Sequence, residues 1–485
     1  MLREFEFSIN GTRHYVRGEV ISTTLLDYLQ AIGKKPPGGS GTGDDFVGLG
    51  AFDGDGNVVV RVVDASRVYL PQLAGMDVLT IEAIADELDD VESLLDVLLD
   101  DRPSRQRGLL MNAFEAAGRR EVLTPGAMAL QSSNGEDASL AWDGILALQR
   151  WTSEMKKIGK QPADLLRIGD VAAKPSFSYE DATGRRFYRC ASIEEVFRLR
   201  QEYPRAQLIS RGFLSGLEST NIESGRGVGY VISLDAVAEL GGILDLDESF
   251  EVGAACPISS VCEALAVEFP DFASAVGRSF PRADLHRLSL GGLLASRDRA
   301  GVTGGALLVE DADLLLHSRE GEREVSVREF FAEESVLRDD ELIGAVRMKK
   351  ADGGEAEVFR GHEEIRRGRS GTGSVMDMIC RIGLGADREI ESARIALASH
   401  GRRPQYLEDV CAEMVGKEWG VELAKEVTQR IREDADCRDT SVATGKYRQA
   451  MAGALWQKIF YENPEPGVRR SLQPEMAEMW NGGAG

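Results

Sequence analysis

The stretch that most constrains the fold is residues 3–18, REFEFSINGTRHYVRG, near the start of the chain. Phe5, Phe7 and Ile9 alternate with polar residues, as in a strand that buries one face. Asn10 and Gly11 follow, and this pair favours the positive φ angles of a two-residue hairpin turn. Residues 3–18 therefore predict a β-hairpin with apolar side chains directed into a core.

A short helix is predicted directly after this hairpin, in residues 22–33, STTLLDYLQAIG. Ser22 or Thr23 can cap its first turn, and Gly33 can end it. Its predicted apolar face consists of Leu25, Leu26, Leu29 and Ile32. Hairpin and helix together are typical of the first half of a small β-grasp domain.

Residues 38–52, GGSGTGDDFVGLGAF, contain six glycines and predict a loop with unusual φ angles. No Gly-Lys-Ser/Thr sequence follows, so a phosphate-binding P-loop is excluded. Residues 53–57, DGDGN, resemble the start of a calcium loop, but Val58 and Asp64 occupy the positions that require Gly and Glu. A hairpin turn that leads into a strand is the better interpretation.

The rest of the chain divides by pattern. A helical pattern begins with DVLTIEAIADEL at residues 77–88, and we assign residues 83–160 to a helical domain. Residues 161–186 read as a linker that includes KPSFSYEDATGRR. Strand and helix signals alternate over residues 187–338, which indicates an α/β domain. Strands such as MDMICRIGLGA and SARIALAS, followed by helices, fill residues 339–462, and residues 463–485 form a tail.

Charge and hydropathy exclude several classes of partner. The chain has 80 acidic and 57 basic residues, a formal net charge of -23, so a nucleic-acid backbone would be repelled. The N-terminus lacks an apolar signal run, and no stretch of about 18 apolar residues occurs. We therefore expect a cytoplasmic protein without a nucleic-acid or membrane partner.

Cysteine and histidine positions predict no metal ligands. The six cysteines form no CxxC pair, and the first of them is Cys190. The histidines, at positions 14, 286, 317, 362 and 400, show no metal-ligand spacing. No catalytic set can be chosen from spacing alone, so no catalytic residue is predicted.

Five segments in order resemble the small subunit of the molybdenum hydroxylase (xanthine dehydrogenase) family. They are STTLLDYLQ, LPQLAGMDVLTIEAI, FEVGAACPIS, SLGGLLAS and DTSVATGKYRQAMAGAL. The resemblance implies an α+β multidomain chain, with domains in the following order: a β-grasp ferredoxin-like domain (1–82), a helical domain (83–160), an α/β FAD-binding PCMH-type domain (187–338) and a C-terminal flavoprotein-type α+β domain (339–462).

In the family, the first two domains hold [2Fe-2S] clusters through cysteines. Here the corresponding positions carry residues that cannot replace a thiolate: Ser40, Asp45, Gly48 and Val68 for the first cluster, and Arg102 and Arg105 for the second. Residues 1–189 contain no cysteine. No iron-sulfur cluster is therefore expected.

The resemblance places two FAD loops in the third domain. The first corresponds to Arg211, Gly212, Phe213 and Leu214, and the second to GGLLASRDRAGV, which includes Gly291, Gly292, Leu293 and Val302. Apolar residues stand where the family has polar flavin contacts, although Arg211 could still pair with a phosphate. Three lost hydrogen-bond partners at about 1–3 kcal/mol each would weaken binding by about two to six orders of magnitude. FAD binding is therefore doubtful.

The family passes two electrons per turnover from molybdenum through the clusters to FAD. The resemblance thus favours a redox-silenced structural subunit that is not catalytic by itself. It would form a hetero-oligomer with a molybdopterin-binding large subunit, and that large subunit would catalyse a non-redox reaction such as hydration. Two alternatives stay open: an active FAD-binding oxidoreductase subunit with altered flavin contacts, and a binding module that reuses the flavin cleft.

Overall fold

The computed structural model describes thirteen parts of the chain: residues 2–33, 46–52, 58–80, 83, 176–210, 229–280, 282–332, 337–350, 357–366, 374–385, 387–399, 401–440 and 442–462. The predicted helical domain, apart from residue 83, and the predicted tail lie outside these ranges. Within them the strands form four sheets.

The N-terminal hairpin is present as predicted. β1 (Glu4–Ile9) pairs antiparallel with β2 (Thr12–Arg17), and the turn residues Asn10 and Gly11 have φ angles of 52° and 72°. The first sheet is completed by β3 (Phe46–Phe52), β4 (Val58–Asp64) and β5 (Asp77–Leu79). Its order is β2-β1-β5-β3-β4, with β1 parallel to β5, which is the β-grasp arrangement.

Helix α1 (Leu25–Ala31) lies where it was predicted, but its cap is one residue later than expected. Thr24, not Ser22 or Thr23, accepts a hydrogen bond from Asp27 N at 3.1 Å, and the Asp27 carboxylate accepts one from Thr24 N at 3.0 Å. This reciprocal pair is a capping box. Gly33 ends the helix with φ 75° as predicted, whereas Ile32 is 38% exposed and does not belong to the buried face.

Two predictions for this sheet are wrong. Residues 46–52 of the predicted glycine loop form β3, because Val47 and Leu49 alternate with glycines and bury their side chains. The segment DVL, predicted to open a helix, forms β5, because Val78 and Leu79 are buried between β1 and β3. β3 and β4 pair antiparallel with Phe52 opposite Val58, and the turn predicted for residues 53–57 lies outside the described residues.

The second sheet contains β6 (Phe177–Glu180), β7 (Arg186–Arg189), β8 (Gln207–Ile209) and β9 (Tyr230–Ser233), in the order β6-β7-β9-β8. Helix α2 (Ile193–Glu202) connects β7 with β8. The prediction of a linker over residues 161–186 is therefore wrong near its C-terminal end, where residues 177–180 form β6. β6 forms because Phe177 and Tyr179 alternate with polar residues and pack edge-on against Phe5, with ring centroids at 5.7 and 5.1 Å.

The third sheet and six helices enclose the largest of the hydrophobic cores described here. The strands are β10 (Ile243–Asp245), β11 (Ser249–Gly253), β12 (Asp313–Ser318), β13 (Gly321–Ser326) and β14 (Leu342–Lys349), in the order β10-β11-β14-β12-β13. The helices are α3 (Ile258–Leu265), α4 (Pro270–Ser279), α5 (Arg282–Arg287), α6 (Leu290–Ala295), α7 (Gly301–Val309) and α8 (Val327–Ala332).

The fourth sheet is an antiparallel meander near the C-terminus. Its strands are β15 (Glu357–Arg366), β16 (Ser374–Leu384), β17 (Ile390–Ser399) and β18 (Arg402–Tyr406), and its helices are α9 (Glu408–Met414), α10 (Val421–Asp434) and α11 (Gly445–Glu462). β16 and β17 confirm the predicted strands. One face packs on the helices around the fully buried Trp456, while Ile379 and Ala396 on the other face belong to the core of the third sheet.

These sheets and helices confirm the predicted α+β organisation of the described ranges. No helix within those ranges combines the length and the apolar character that crossing a membrane requires.

Candidate functional site

The start of helix α6 carries the second of the two predicted FAD loops. Ser289 caps the helix by accepting a hydrogen bond from Gly292 N at 3.2 Å, and it pairs with Pro257 across an isolated bridge. These contacts hold the helix start against the segment that follows β11.

Gly291 is required by close packing at this point. A Cβ atom there would lie 2.6 Å from Ala254 Cβ and 3.0 Å from the Ala254 carbonyl oxygen. Such distances are shorter than van der Waals contact, so only glycine fits without a shift of the backbone. The glycine retained here therefore has a structural reason that does not involve a ligand.

The backbone N–H groups at this helix start are already used within the protein. A helix N-terminus normally presents free N–H donors to an anion such as a pyrophosphate. Here Leu290 N donates to Cys256 O at 3.0 Å and Gly291 N donates to Ala254 O at 2.7 Å, while Leu293 N makes the regular first bond of the helix, to Ser289 O at 3.1 Å. Gly292 N donates to the Ser289 hydroxyl, so the loop in this arrangement does not fit the pyrophosphate of FAD.

The two apolar positions of the same loop lie in the protein core. Leu293 is 1% exposed and Val302 is 4% exposed, and both belong to the hydrophobic cluster of the third sheet. Their side chains offer no hydrogen bond to a flavin, and a polar residue at either position would need a buried partner.

The first predicted FAD loop, Arg211, Gly212, Phe213 and Leu214, lies outside the described residues. The residue before it, Ser210, follows β8, and its hydroxyl is buried without a hydrogen-bond partner in the described structure. A buried hydroxyl usually has a partner. Ser210 is therefore a polar group that a ligand at this strand end could use.

Of the former cluster positions, only Gly48 and Val68 lie in the described ranges. Gly48 is in β3, where a Cβ atom would meet Val60 Cγ1 at 2.6 Å. Val68 is fully buried between two 3₁₀ turns. A glycine in a tight strand and a valine in the core do not fit an iron-sulfur cluster, which needs thiolate ligands. Ser40, Asp45, Arg102 and Arg105 lie outside the described residues.

Arg189 joins the β-grasp sheet to the second sheet. Its guanidinium donates to the carbonyl oxygens of Pro71 at 3.3 Å, Gln72 at 2.7 Å and Ala74 at 3.1 Å. Burial lowers the pKa of Arg189, and the Phe177 ring lies 5.6 Å from the guanidinium carbon. This buried arginine holds residues 71–74 against the second sheet. Most of that sheet lies in the part of the chain that resembles an FAD-binding domain, residues 187–338, which we call the flavin-type region.

Two ion pairs join the β-grasp sheet to the helices of the third sheet. Arg61 pairs with Glu263 at 3.2 Å, and Arg67 pairs with Asp284 at 2.7 Å. Burial raises the pKa of Asp284, and the neighbouring Arg67 opposes that rise. The N-terminal domain therefore contacts the second sheet through Arg189 and the helices of the third sheet through Arg61 and Arg67.

A cavity of about 560 Å³ lies between the third sheet's helices and the C-terminal sheet. Its lining includes Arg328, Arg403 and Arg438, whose charges are each matched by a carboxylate, in Asp311 at 3.1 Å, Asp298 at 3.6 Å and Asp436 at 3.1 Å. Because each of these cations has an anionic partner, the cavity is no simple anion site. Its residues are far apart in sequence, and spacing gave no signal of it.

The structure also brings together a group that the sequence analysis missed, consisting of His362, Glu364 and Asp377. The expectation from the sequence was that none of the histidines has metal-ligand spacing. The signal was the i, i+2 spacing of His362 and Glu364 on one strand, completed by a residue of the next strand.

Two known domain families match this chain, one over the third predicted domain and one over the C-terminal predicted domain. Residues 178–348 match the FAD binding domain in molybdopterin dehydrogenase, and residues 369–463 match the CO dehydrogenase flavoprotein C-terminal domain. Caffeine dehydrogenase subunit beta of Pseudomonas sp. strain CBB1 is 30% identical over 172 residues, 35% of this chain. The match spans 57% of that curated relative's length.

Solved structures share the fold at low identity. Quinoline 2-oxidoreductase from Pseudomonas putida 86 aligns with a TM-score of 0.50 at 19% identity, over 56% of this chain and 94% of that one. Carbon monoxide dehydrogenase from Hydrogenophaga pseudoflava aligns with the same score and coverage at 16% identity.

The class of domain is thus an FAD-binding domain of the molybdopterin dehydrogenase type over residues 178–348, followed by a CO dehydrogenase flavoprotein C-terminal domain over residues 369–463. These matches agree with the resemblance of this part of the chain to the flavoprotein domains of molybdenum hydroxylases.

Proposed function

We propose that this chain is a redox-silenced small subunit that supports a molybdopterin-binding catalytic subunit. The observation that carries the proposal is the hydrogen bonding of residues 290–292, where all three backbone N–H groups that the helix itself leaves free donate inside the protein. The buried apolar side chains of Leu293 and Val302 support the same conclusion. The sequence adds that residues 1–189 have no cysteine to hold a cluster.

In this proposal the first 82 residues serve as a docking and stabilising domain. Arg189, Arg61 and Arg67 connect that domain to the flavin-type region through buried or partly buried contacts. Such contacts preserve the arrangement of domains after the loss of electron transfer, because a scaffold can outlast its chemistry. The subunit would act in the cytoplasm, in a hetero-oligomer, without nucleic acid or membrane.

Three measurements on the purified full chain test the proposal: its visible absorbance, its iron content and its calorimetric titration with FAD. We expect no flavin bands, less iron than the two atoms that each [2Fe-2S] cluster would bring, and no saturation at micromolar FAD. Iron near the stoichiometry of a cluster would contradict the loss of the clusters. Submicromolar FAD binding would contradict the loss of the flavin.

The second candidate function is an active FAD-binding oxidoreductase subunit. It is favoured by the match of residues 178–348 to an FAD binding domain and by the unpartnered Ser210 hydroxyl next to Arg211. A binding module that reuses the cleft is the remaining alternative, and it would bind an anion without flavin bands.

A variant separates a local loss of the flavin site from a complete one. Arg211→Gly with Phe213→Thr and Leu214→Asp restores the family residues of the first loop. If the loss is confined to that loop, FAD affinity should rise at least tenfold. An unchanged affinity would place the loss also at the helix start, where the N–H groups are occupied.

A further inference from the structure

His362, Glu364 and Asp377 share one face of the C-terminal sheet. His362 and Glu364 are two residues apart on β15, so their side chains point to the same side. Asp377 on β16 is the direct register partner of Glu364, and Ile379 is the partner of His362. Two adjacent strands therefore place one imidazole and two carboxylates together.

The ligand atoms are close enough to share one cation. One atom from each of the three side chains lies within 4.8 Å of the other two. His362 Nε2 and Asp377 Oδ1 are 3.2 Å apart. Two ligands at bond lengths of about 2.1 Å are separated by about 3.0–3.4 Å in octahedral or tetrahedral geometry, so this pair already has the separation of two neighbouring ligands.

Two of the three side chains are largely removed from water, and Glu364 is half-buried. The side chains of His362 and Asp377 are 6% and 5% exposed. Helix α7 covers this face, since a Cβ atom at Gly305 would lie 2.8 Å from Ile379 Cδ1 and 3.5 Å from Ala398 Cβ. Ile379 and Ala398 are the cross-strand partners of His362 and Asp377. The group thus lies at the junction between the flavin-type region and the C-terminal sheet.

The surrounding contacts favour a cation at this point. The Ser374 hydroxyl donates to Asp377 Oδ2, which orients the carboxylate as an outer-shell partner does at a metal site. Arg360, two residues before His362 on the same face, pairs with Asp271 at 2.9 Å, so its charge is directed to helix α4. Two carboxylates and one imidazole in a poorly hydrated place are stabilised by a divalent ion.

We propose that His362, Glu364 and Asp377 bind one divalent transition-metal ion that ties β15 to β16 beneath helix α7. An imidazole with two carboxylates suits Zn²⁺, Mn²⁺ or Fe²⁺, whereas Mg²⁺ and Ca²⁺ prefer oxygen ligands alone. Three protein ligands leave at least one position for water. The site is independent of flavin binding.

The purified full chain, dialysed against a chelator, tests the proposal by titration with Zn²⁺ and with Co²⁺ as its spectroscopic substitute. We expect one saturable site per chain, Co²⁺ bands of a nitrogen- and oxygen-ligated ion, and Zn²⁺ affinity at least tenfold above that of Mg²⁺. His362→Gln and Asp377→Asn should each lower Zn²⁺ affinity at least tenfold. Ser374→Ala keeps the ligands and should lower it by about tenfold.

His317→Gln is the matched control, because His317 also pairs with a carboxylate, Glu322 at 3.2 Å, on a different sheet. It should leave Zn²⁺ affinity and the Co²⁺ bands unchanged. The acidic chain will also bind Zn²⁺ weakly at its surface, so equal Zn²⁺ affinity in all variants would overturn the proposal. The absence of a saturable site in the folded wild-type chain would also overturn it. Should His362→Gln fail to fold, the Ser374→Ala titration and the wild-type Co²⁺ spectrum still decide.

Discussion

Gly291 and Ala254 are in backbone contact at the start of helix α6, where Gly291 N donates to Ala254 O at 2.7 Å. The same contact leaves no space for a side chain, since a Cβ atom at Gly291 would lie 2.6 Å from Ala254 Cβ. The glycine that a flavoprotein would use to approach a ligand is here used to approach another segment of the same chain. Packing against Ala254 therefore requires a glycine at position 291 for a reason unrelated to ligand binding.

Gly291→Ala should destabilise the protein by about 1–3 kcal/mol, because the new methyl group must displace the Ala254 backbone. The measurement is urea unfolding of the full chain. Gly277→Ala is the matched control: Gly277 is in helix α4 with nothing within 4 Å of its Cβ position. Alanine there should stabilise by about 0.5–1 kcal/mol. Equal effects of the two substitutions would contradict the close contact.

Arg189→Met should destabilise the chain by about 2–5 kcal/mol, because it leaves buried carbonyl groups of residues 71–74 without their donor. Hydrogen exchange should rise in the same segment. Arg198→Met is the control: Arg198 is 59% exposed and pairs with Glu202 one helical turn away, so its loss should change stability by less than about 0.5 kcal/mol. Amides that stay protected at residues 72–74 in Arg189→Met would argue against the connecting role.

The sequence predicted those parts of the fold that local chemistry determines. Asn10 and Gly11 make the hairpin turn because few other pairs adopt two positive φ angles, and Gly33 ends α1 for the same reason. Errors arose where tertiary burial overrides local signals. Gly48 lies in a strand because its neighbours Val47 and Leu49 enter a core, which composition could not show.

The candidate site was predicted less well, for a physical reason. The resemblance located Gly291 and Leu293, but only coordinates show that the N–H groups beside them are occupied and that Leu293 is buried. The group of His362 and Asp377 depends on the register of β15 with β16, which sequence spacing does not determine. Contacts between strands are thus the part of the site that sequence leaves open.

Glu341 should make stability depend on pH in the acid range. Its side chain is 2% exposed, and hydrogen bonds from Arg323 at 2.6 and 2.8 Å hold its pKa at about 2, below the ordinary 4.5. A carboxylate with a depressed pKa stabilises the fold above its unfolded pKa and loses that contribution as pH falls toward the folded pKa. The full contribution is about 3 kcal/mol, of which about 2 kcal/mol is lost by about pH 3.

Urea unfolding of wild type and Glu341→Gln at neutral pH and at about pH 3 measures this contribution. The difference in unfolding free energy between the two proteins should be largest at neutral pH and should shrink by about 2 kcal/mol in acid. A difference that stays constant with pH would show that Arg323 does not hold the carboxylate in its charged form.

The last prediction concerns the assembly that contains this chain. A molybdenum hydroxylase exports two electrons per turnover through its clusters and FAD. Here residues 1–189 have no cysteine, and the N–H groups of residues 290–292 are occupied. We therefore expect a molybdopterin-binding large subunit to co-purify with this chain, and the assembly to add water to its substrate, a reaction that transfers no net electrons.

Two measurements decide this point: identification of the co-purified subunits by mass spectrometry, and turnover under anaerobic conditions with and without an artificial electron acceptor. Equal rates in both conditions are expected, because hydration balances without an oxidant. Turnover that strictly requires an oxidant and passes electrons through this chain would favour the active flavoprotein instead. Purification without any large subunit would end the scaffold interpretation, because the contacts of Arg189, Arg61 and Arg67 would then serve this chain's own fold alone.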